Sequence, residues 1–153
     1  EPAMANIDST TLNQNSYMQA FGNAVVLPGS IALAANPTAA DVLRIMRIPA
    51  GTQVSEVIIA NTDLDTNGTP TIVHNLGYAP VNSDDGPTAV PAYFAAAGQT
   101  NLQAANEGKV YAKFAPITFA YDVYLTATVG TAAATFAAGT IYATVKGVAR
   151  GIK

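Results

Sequence analysis

The sequence predicts an all-β protein: an antiparallel β-sandwich or a jelly-roll-like barrel with an extended N-terminal arm. Two stretches near the C-terminus alternate strictly between apolar and polar residues, which is typical of half-buried antiparallel strands. Short β-branched segments separated by Gly- and Pro-rich turns precede them, as in sandwiches and barrels. The 153 residues amount to about one domain. We therefore expect an arm over residues 1–24 and a single β domain over residues 25–153.

The two alternating stretches are the clearest predicted strands. In "YDVYLTATV" every second residue from Tyr121 to Val129 is apolar, and in "GTIYATVKGV" the same holds for Ile141, Ala143 and Val145. The ten residues "GTAAATFAAG" connect the two strands, and Phe136 is expected to hold this connection against the domain.

Earlier segments predict further strands with less regular patterns. In "AVVLPGSIALAANP" we expect a turn at Pro28-Gly29. In "DVLRIMRI", simple alternation puts Leu43 and Ile45 on one face and Met46 and Ile48 on the other. The turn "PAGT" follows.

The next strand, "VSEVIIAN", is read in the same way. Alternation places Val57 and Ile59 on the face opposite Val54.

The middle of the chain mixes strand and loop signals. "TIVHNLGY" has strand character, whereas residues 79–92 hold three prolines and an Asp-Asp-Gly and predict an irregular loop. A helical turn is expected from Tyr93 to about Ala97, or from Leu102 to Asn106, because glycines interrupt anything longer.

Composition excludes several classes of partner. Charged residues make up 11% of the chain, against roughly 25% in an average soluble domain. The seven Lys and Arg form no basic stripe, so we expect no nucleic-acid partner. No apolar stretch reaches the ~18 residues of a membrane span, so no membrane partner is expected. A surface this poor in charge fits a subunit that packs against other subunits.

The sequence shows no set of catalytic residues, and we expect a protein that is not an enzyme. His74 is the only histidine, and no Gly-x-Ser-x-Gly motif accompanies it. It shares a strand face with Ile72, Leu76 and Tyr78, which favours a core or interface histidine over a general base. A hydrolase using His74 with Asp63 or Asp65 is the weakest hypothesis. Glycine-rich nucleotide-binding motifs are absent, so no cofactor is expected.

The segment "DLDTNG", residues 63–68, resembles the start of an EF-hand calcium loop. An EF-hand register would place Pro70 at the eighth position and His74 at the twelfth, where a bidentate Glu is required. The flanking segments are also strand-like rather than helical. We therefore expect a turn in which Asp63 and Asp65 accept hydrogen bonds from nearby backbone N–H groups, and no metal site. A weak cation site of another geometry is the alternative.

The predicted arm is polar and carries three large apolar side chains, Tyr17, Met18 and Phe21. These are the candidate contacts with a partner. The alternatives are that they pack onto their own domain or that the segment is disordered. Whether Met4 is the natural first residue stays open.

Three segments resemble the capsid decoration, or cement, proteins and other small virion proteins of tailed bacteriophages. They are "SYMQAFGNAVVLPGS", "RIPAGTQVSEVIIANTDLDTNGTPTIVHNLGY" and "AATFAAGTIYATVKGV". The resemblance implies a compact β domain, made in the host cytoplasm, that binds the outside of the phage capsid and stabilises the shell. It implies two partners, the phage major capsid protein and further copies of itself in a homodimer or homotrimer.

An alternative function remains open. A β domain with seven tyrosines would also serve as the receptor- or glycan-binding module of a phage fibre or a bacterial surface.

Overall fold

The computed structural model describes residues 4–12 and 23–151 of the chain. These residues form ten β-strands and one short 3-10 helix, with no α-helix among them. The strands are β1 (Asn6–Asp8), β2 (Ala24–Leu33), β3 (Val42–Ile48), β4 (Thr52–Asn61), β5 (Val73–Pro80), β6 (Val90–Gln99), β7 (Asn106–Tyr111), β8 (Ile117–Thr118), β9 (Val123–Thr131) and β10 (Gly139–Ala149), and the 3-10 helix is Asn101–Gln103.

The strands form two sheets packed as a sandwich. The order is β1-β3-β9-β5-β6 in the first, the β3 sheet, and β2-β10-β4-β7 in the second, the β10 sheet, where β8 also pairs with β4. Four antiparallel pairs are nested along the chain: β2 with β10, β3 with β9, β4 with β7, and β5 with β6. Pairs β4–β10 and β5–β9 join them into sheets. This nesting is the jelly-roll topology, and the all-β prediction is confirmed.

The core lies between the sheets and contains the predicted apolar positions of the last two long strands. Strand β9 is not half-buried as predicted, because Tyr124 and Thr126 on its other face are buried as well. Val123, Leu125, Ala127 and Val129 of β9 are buried. So are the predicted residues of β10, Ile141, Ala143 and Val145. Tyr121 departs from the prediction because it precedes β9 and is exposed.

Two β-bulges overturn the predicted faces of β3 and β4. Opposite β9, Arg44 pairs with Thr126 and Met46 with Leu125, so Ile45 has no partner. An extra residue in one strand reverses the alternation beyond it. Leu43, Ile45, Met46 and Ile48 are consequently all buried, although alternation placed them on opposite faces.

The second bulge lies at Ser55. Glu56 pairs with Lys146 and Val54 with Gly147, which leaves Ser55 without a partner on β10. Val54 is therefore buried in the core together with Val57 and Ile59, although simple alternation placed it on the opposite face from them.

The predicted turn at Pro28-Gly29 is wrong, because both residues lie inside β2. Strand β2 is an edge strand, where a residue without a backbone N–H is tolerated. At Gly29 the two sheets come so close that a Cβ would lie 2.5 Å from Cβ of Met46. Proline is therefore tolerated here because β2 is an edge strand, and glycine is required because the two sheets approach closely; neither residue forms a turn.

The predicted helical turn at Tyr93–Ala97 is also wrong, since these residues belong to β6. A 3-10 helix does form at Asn101–Gln103, overlapping the second predicted position. Strands β5 and β6 are joined by the residues between Pro80 and Val90, in agreement with the loop predicted there.

Part of the predicted arm lies within the β3 sheet. Asn6–Asp8 form β1, which pairs with β3 in parallel. The backbone N–H of Ala5 donates to Oδ1 of Asp41 (3.1 Å), and that of Ser9 donates to the carbonyl of Arg44 (3.2 Å).

Candidate interaction surface

The outer face of the β10 sheet is the candidate interaction surface. On β2 and β10 the residues that alternate with the core side chains point outwards, and Glu56, Ile58 and Ala60 do so on β4. We call the central part of this surface, away from the two ends of the strands, the β10 face. It comprises Val26, Pro28, Ser30, Glu56, Ile58, Ala60, Val110, Tyr142, Thr144 and Lys146.

The β10 face is predominantly apolar and open. Val26 is 61% exposed, and Val110 and Tyr142 are each 52% exposed. Only Glu56 and Lys146 among its ten residues carry charge, and they are direct neighbours on β4 and β10. Apolar groups gathered in one exposed patch are typical of a binding surface.

The opposite outer face, that of the β3 sheet, uses its charges within the chain. The guanidinium of Arg44 donates two hydrogen bonds to the carboxylate of Asp8, at 2.6 and 2.7 Å, and lies 4.9 Å from the ring centre of Tyr124. The hydrogen bond to Asp8 raises the pKa of Arg44. Arg47 forms an ion pair with Asp122, whose second oxygen accepts the N–H of Ala50 at 2.7 Å. The two faces of the sandwich thus differ in chemistry.

The segment "DLDTNG" is a turn organised by the buried carboxylate of Asp65, which is 1% exposed. Its Oδ2 accepts backbone N–H groups of Thr71 (2.7 Å), Ile72 (3.2 Å) and Ala134 (3.0 Å). Its Oδ1 accepts those of Thr135 (3.0 Å) and Asn67 (3.4 Å). The carboxylate therefore ties its own turn to the β9–β10 connection.

The environment of Asp65 favours the ionised form. Burial raises the pKa of this carboxyl, but the backbone hydrogen bonds from Thr135, Thr71, Ala134 and Ile72 together hold it well below its usual value. The predicted acceptance of backbone N–H groups is confirmed, and Asp63 does the same for the N–H of Asp65 at 3.1 Å. The turn differs from the prediction in its depth, because Asp65 is a core residue.

His74 is a core residue, as its apolar neighbours predicted. It is 1% exposed, and burial lowers its pKa to about 4, against a backbone hydrogen bond with Gln99 that raises it. Its Nδ1 has no hydrogen-bond partner among the described residues. A neutral imidazole enclosed in this way has no route to a substrate.

A groove of about 410 Å³ lies between β6 and β7, the edge strands of the two sheets. Tyr93, Phe94 and Tyr111 line it, with Gln99 and Lys113 as polar groups. Tyr93 is held in place by a hydrogen bond from its hydroxyl to the carbonyl of Ala115, at 2.7 Å.

The structure leaves one group of predicted residues untested. Tyr17, Met18 and Phe21 lie outside the described residues. Within the described ranges, no three His, Asp or Glu side chains are arranged to hold a metal ion. No helix in the same ranges is long and apolar enough to cross a membrane.

Sequence reasoning missed the β10 face, although its signal is present. "AVVLP" and "TIYAT" place apolar or aromatic residues on both faces of their strands, whereas a strand with one solvated face carries polar residues on it. Val26 and Tyr142 are the residues that break this rule.

Comparison with solved structures shows the same fold in chains of phage capsids. The chain aligns with one from the capsid of Ralstonia phage GP4 at a TM-score of 0.76 and 23% identity, over 97% of this chain and 99% of the other. A chain of the cyanophage Pam1 capsid asymmetric unit aligns at 0.67 and 24%, over 92% and 95%. A chain of the acid-stable capsid of Helicobacter pylori bacteriophage KHP30 aligns at 0.55 and 13%, over 84% and 90%.

At these identities the likeness shows a shared fold. No protein-family model matches the sequence, and no curated protein matches it.

Proposed function

We propose that this protein is a non-enzymatic structural component of a phage capsid that binds the outside of the shell and stabilises it as a decoration, or cement, protein. The observation that carries the proposal is the fold match to capsid chains of almost the same extent, which leaves almost none of the GP4 chain unaligned.

The chemistry of the surface supports this proposal. A decoration protein must adhere to a large assembly through many weak, repeated contacts, and these gain strength by multivalency on a symmetric shell. The apolar β10 face supplies a contact surface with little desolvation of charge. The ion pairs Arg44–Asp8 and Arg47–Asp122 lie on the other sheet and are satisfied within the chain.

The N-terminal segment supplies the proposed contact with the major capsid protein. Tyr17, Met18 and Phe21 are large apolar side chains in a polar stretch, and aromatic and methionine side chains are enriched at protein interfaces. We propose that they lie against the shell. This part of the proposal is based on the sequence alone.

The test is binding to capsids that lack the protein. The recombinant full chain is mixed with purified shells, unbound protein is removed by sedimentation, and bound copies are counted by quantitative mass spectrometry. Heat release of packaged DNA is then followed with an intercalating dye. We expect saturable binding at a fixed number of copies per shell and release at a higher temperature. Absence of the protein from native virions, or unchanged release, would refute the decoration role.

The same assay tests the three N-terminal residues. A Tyr17→Ala, Met18→Ala, Phe21→Ala variant should fold normally and lose most of its capsid binding. Tyr121→Ala removes a 53% exposed tyrosine and is the matched control, which should bind as wild type does. If both variants bind shells equally well, the three N-terminal residues do not form the contact with the capsid.

Recognition of a receptor or glycan is the second candidate function, favoured by the groove between β6 and β7. Tyr93 offers a ring surface beside the largely buried Tyr111, and Gln99 and Lys113 offer hydrogen-bond donors, which is a composition suited to a small polar ligand. A glycan array tests it directly. Specific binding that Gln99→Ala weakens, without any binding to shells, would favour this function over decoration.

A further inference from the structure

We infer that the groove between β6 and β7 binds an acidic saccharide, with a sugar ring against Tyr93 and the sugar carboxylate on Lys113. The inference deepens the second candidate function, the recognition of a receptor or glycan, and rests on it. That candidate function specifies only a small polar ligand. The contacts around the groove narrow the ligand to sugars that carry a negative charge.

Lys113 gives the groove its charge. It is the one charged side chain among the described residues that line the groove, and it is exposed. The two ion pairs within the described ranges involve Arg44 and Arg47, so Lys113 has no acidic partner there. Hydrogen bonds between an ammonium and a carboxylate are stronger than those between neutral groups. The groove therefore favours a ligand that carries a carboxylate.

Tyr93 offers a ring that the fold already holds in place. It makes edge or tilted contacts with the rings of Tyr78, Phe94 and Phe114, at centroid distances of 5.5, 5.4 and 6.0 Å. Its hydroxyl donates to the carbonyl of Ala115 at 2.7 Å. The ring is nevertheless only half-buried, and it lines the groove. A ring fixed in this way can bind the apolar face of a sugar with little further loss of side-chain entropy.

Gln99 adds an oriented amide to the same groove. Its Nε2 donates to the carbonyl of Ala96 at 2.9 Å, which fixes the plane of the amide. Oε1 can then accept a hydrogen bond from a sugar hydroxyl. A ring, an amide and a cation thus line one groove, and they match the ring face, the hydroxyls and the carboxylate of a sugar acid.

The size of the groove agrees with a short saccharide. Its volume of about 410 Å³ is near the lower end of the range for ligand sites, which suits a ligand of about one or two sugar rings.

An acidic peptide that adds a strand to the sheet is the competing ligand, because β6 and β7 are both edge strands. Both edges carry features that oppose strand addition. Strand β6 contains Pro91, and its pairing with β5 has two register shifts. Strand β7 carries the exposed charged residues Glu107 and Lys109. Prolines, irregular pairing and charges keep edge strands from pairing with another chain, so recognition by the side chains of the groove is favoured.

Titration with paired ligands tests the role of the charge. The isotope-labelled full chain is titrated with galacturonate and glucuronate disaccharides and with sialyllactose, and amide chemical shifts are followed by NMR. Each acid is compared with its methyl ester, which keeps the sugar rings and removes the charge. We expect a dissociation constant of about 0.1–1 mM for at least one acid, and a value about tenfold higher for its ester.

Two lysine variants locate the charge that the ligand contacts. Lys113→Gln should raise the dissociation constant of the acid by about tenfold and leave that of the ester unchanged. Lys109→Gln is the matched control, because Lys109 is an exposed lysine of β7 outside the groove lining, and it should bind the acid as wild type does. Tyr93→Leu keeps apolar bulk but removes the ring, and should weaken acid and ester alike. Thermal unfolding checks that each variant is folded.

Several results would overturn the inference. One is the absence of binding by every acid up to about 10 mM. Equal binding of acids and esters would also overturn it, although recognition of a neutral glycan would then stand. An equal loss in both lysine variants would indicate a general attraction between charges, and tighter binding of a tetraglutamate peptide would assign the groove to acidic peptides. Binding to shells is measured separately by sedimentation, so none of these results decides the decoration role.

Discussion

Replacing Asp65 with asparagine tests the role assigned to the buried turn. The substitution keeps the size and shape of the side chain but replaces one acceptor oxygen with an NH₂ donor. The carboxylate accepts five backbone N–H groups, three at Oδ2 and two at Oδ1. The asparagine loses least when its NH₂ occupies the Oδ1 position. It then faces the N–H groups of Thr135 and Asn67, donor against donor.

The magnitude follows from those two lost bonds. One had an N···O distance of 3.0 Å and the other of 3.4 Å, and both donors are left without this acceptor. Unsatisfied buried donors are among the more costly defects in a folded protein. We expect the melting temperature at pH 7 to fall by about 5–15 °C, measured by differential scanning calorimetry.

Asp63→Asn is the matched control, because its amide oxygen still accepts the N–H of Asp65 and the melting temperature should barely change. The pH dependence supplies a further check. The folded pKa of Asp65 lies below its ordinary value of 3.8, so its stabilisation is complete above that pH and is lost as the pH falls towards the folded pKa. The difference between wild type and Asp65→Asn should be equal at pH 7 and 5 and smaller at pH 3. A variant as stable as the wild type at pH 7 would refute the reasoning.

Three further predictions concern the core, a close backbone contact and cation binding. The folded pKa of His74 is about 4, against 6.5 normally. The free energy of unfolding should therefore fall by up to about 3 kcal/mol as the pH drops from 6.5 to 4. Urea titrations should show a weaker pH dependence of this free energy for His74→Gln. Gly147→Ala places a Cβ 1.8 Å from the carbonyl oxygen of Gln53 and should cost about 3 kcal/mol or more, whereas Gly68→Ala, with nothing within 4 Å, should be neutral in the same titration. Calcium should give no heat of binding in calorimetry, since the oxygens of Asp65 already accept N–H groups; a saturable isotherm would contradict this.

The sequence predicted the structure correctly where the local residue pattern alone determines the secondary structure. Strict alternation in β9 and β10 predicted both strands and the buried positions Leu125 and Val145 correctly. The polar turn at Asp63 and Asp65 was also recognised. In each of these segments the local preference and the tertiary environment agree, so local reasoning was sufficient.

Prediction failed where tertiary pairing decides the local structure. The bulges at Ile45 and Ser55 depend on the strand beside them, and each moves the following residues to the other face. Nothing in "LRIMRI" distinguishes a bulged strand from a regular one until its partner is known. Pro28 likewise reads as a turn unless β2 is known to be an edge strand. These errors have one cause, because register is a property of two strands.

The same limitation explains why the candidate surface was missed while its residues were visible. Tyr142 and Val26 were assigned to strands, but a list of outward residues becomes a surface only when registers place them side by side. Once Lys146 is opposite Glu56 and Tyr142 is opposite Ala60, the outward residues of neighbouring strands form one continuous surface. On the β3 sheet the charges are paired within the chain, because Arg44 contacts Asp8 and Arg47 contacts Asp122. The sandwich therefore has one outer face whose charges are paired within the chain and one that is mostly apolar, and this difference is visible only once the strand registers are known.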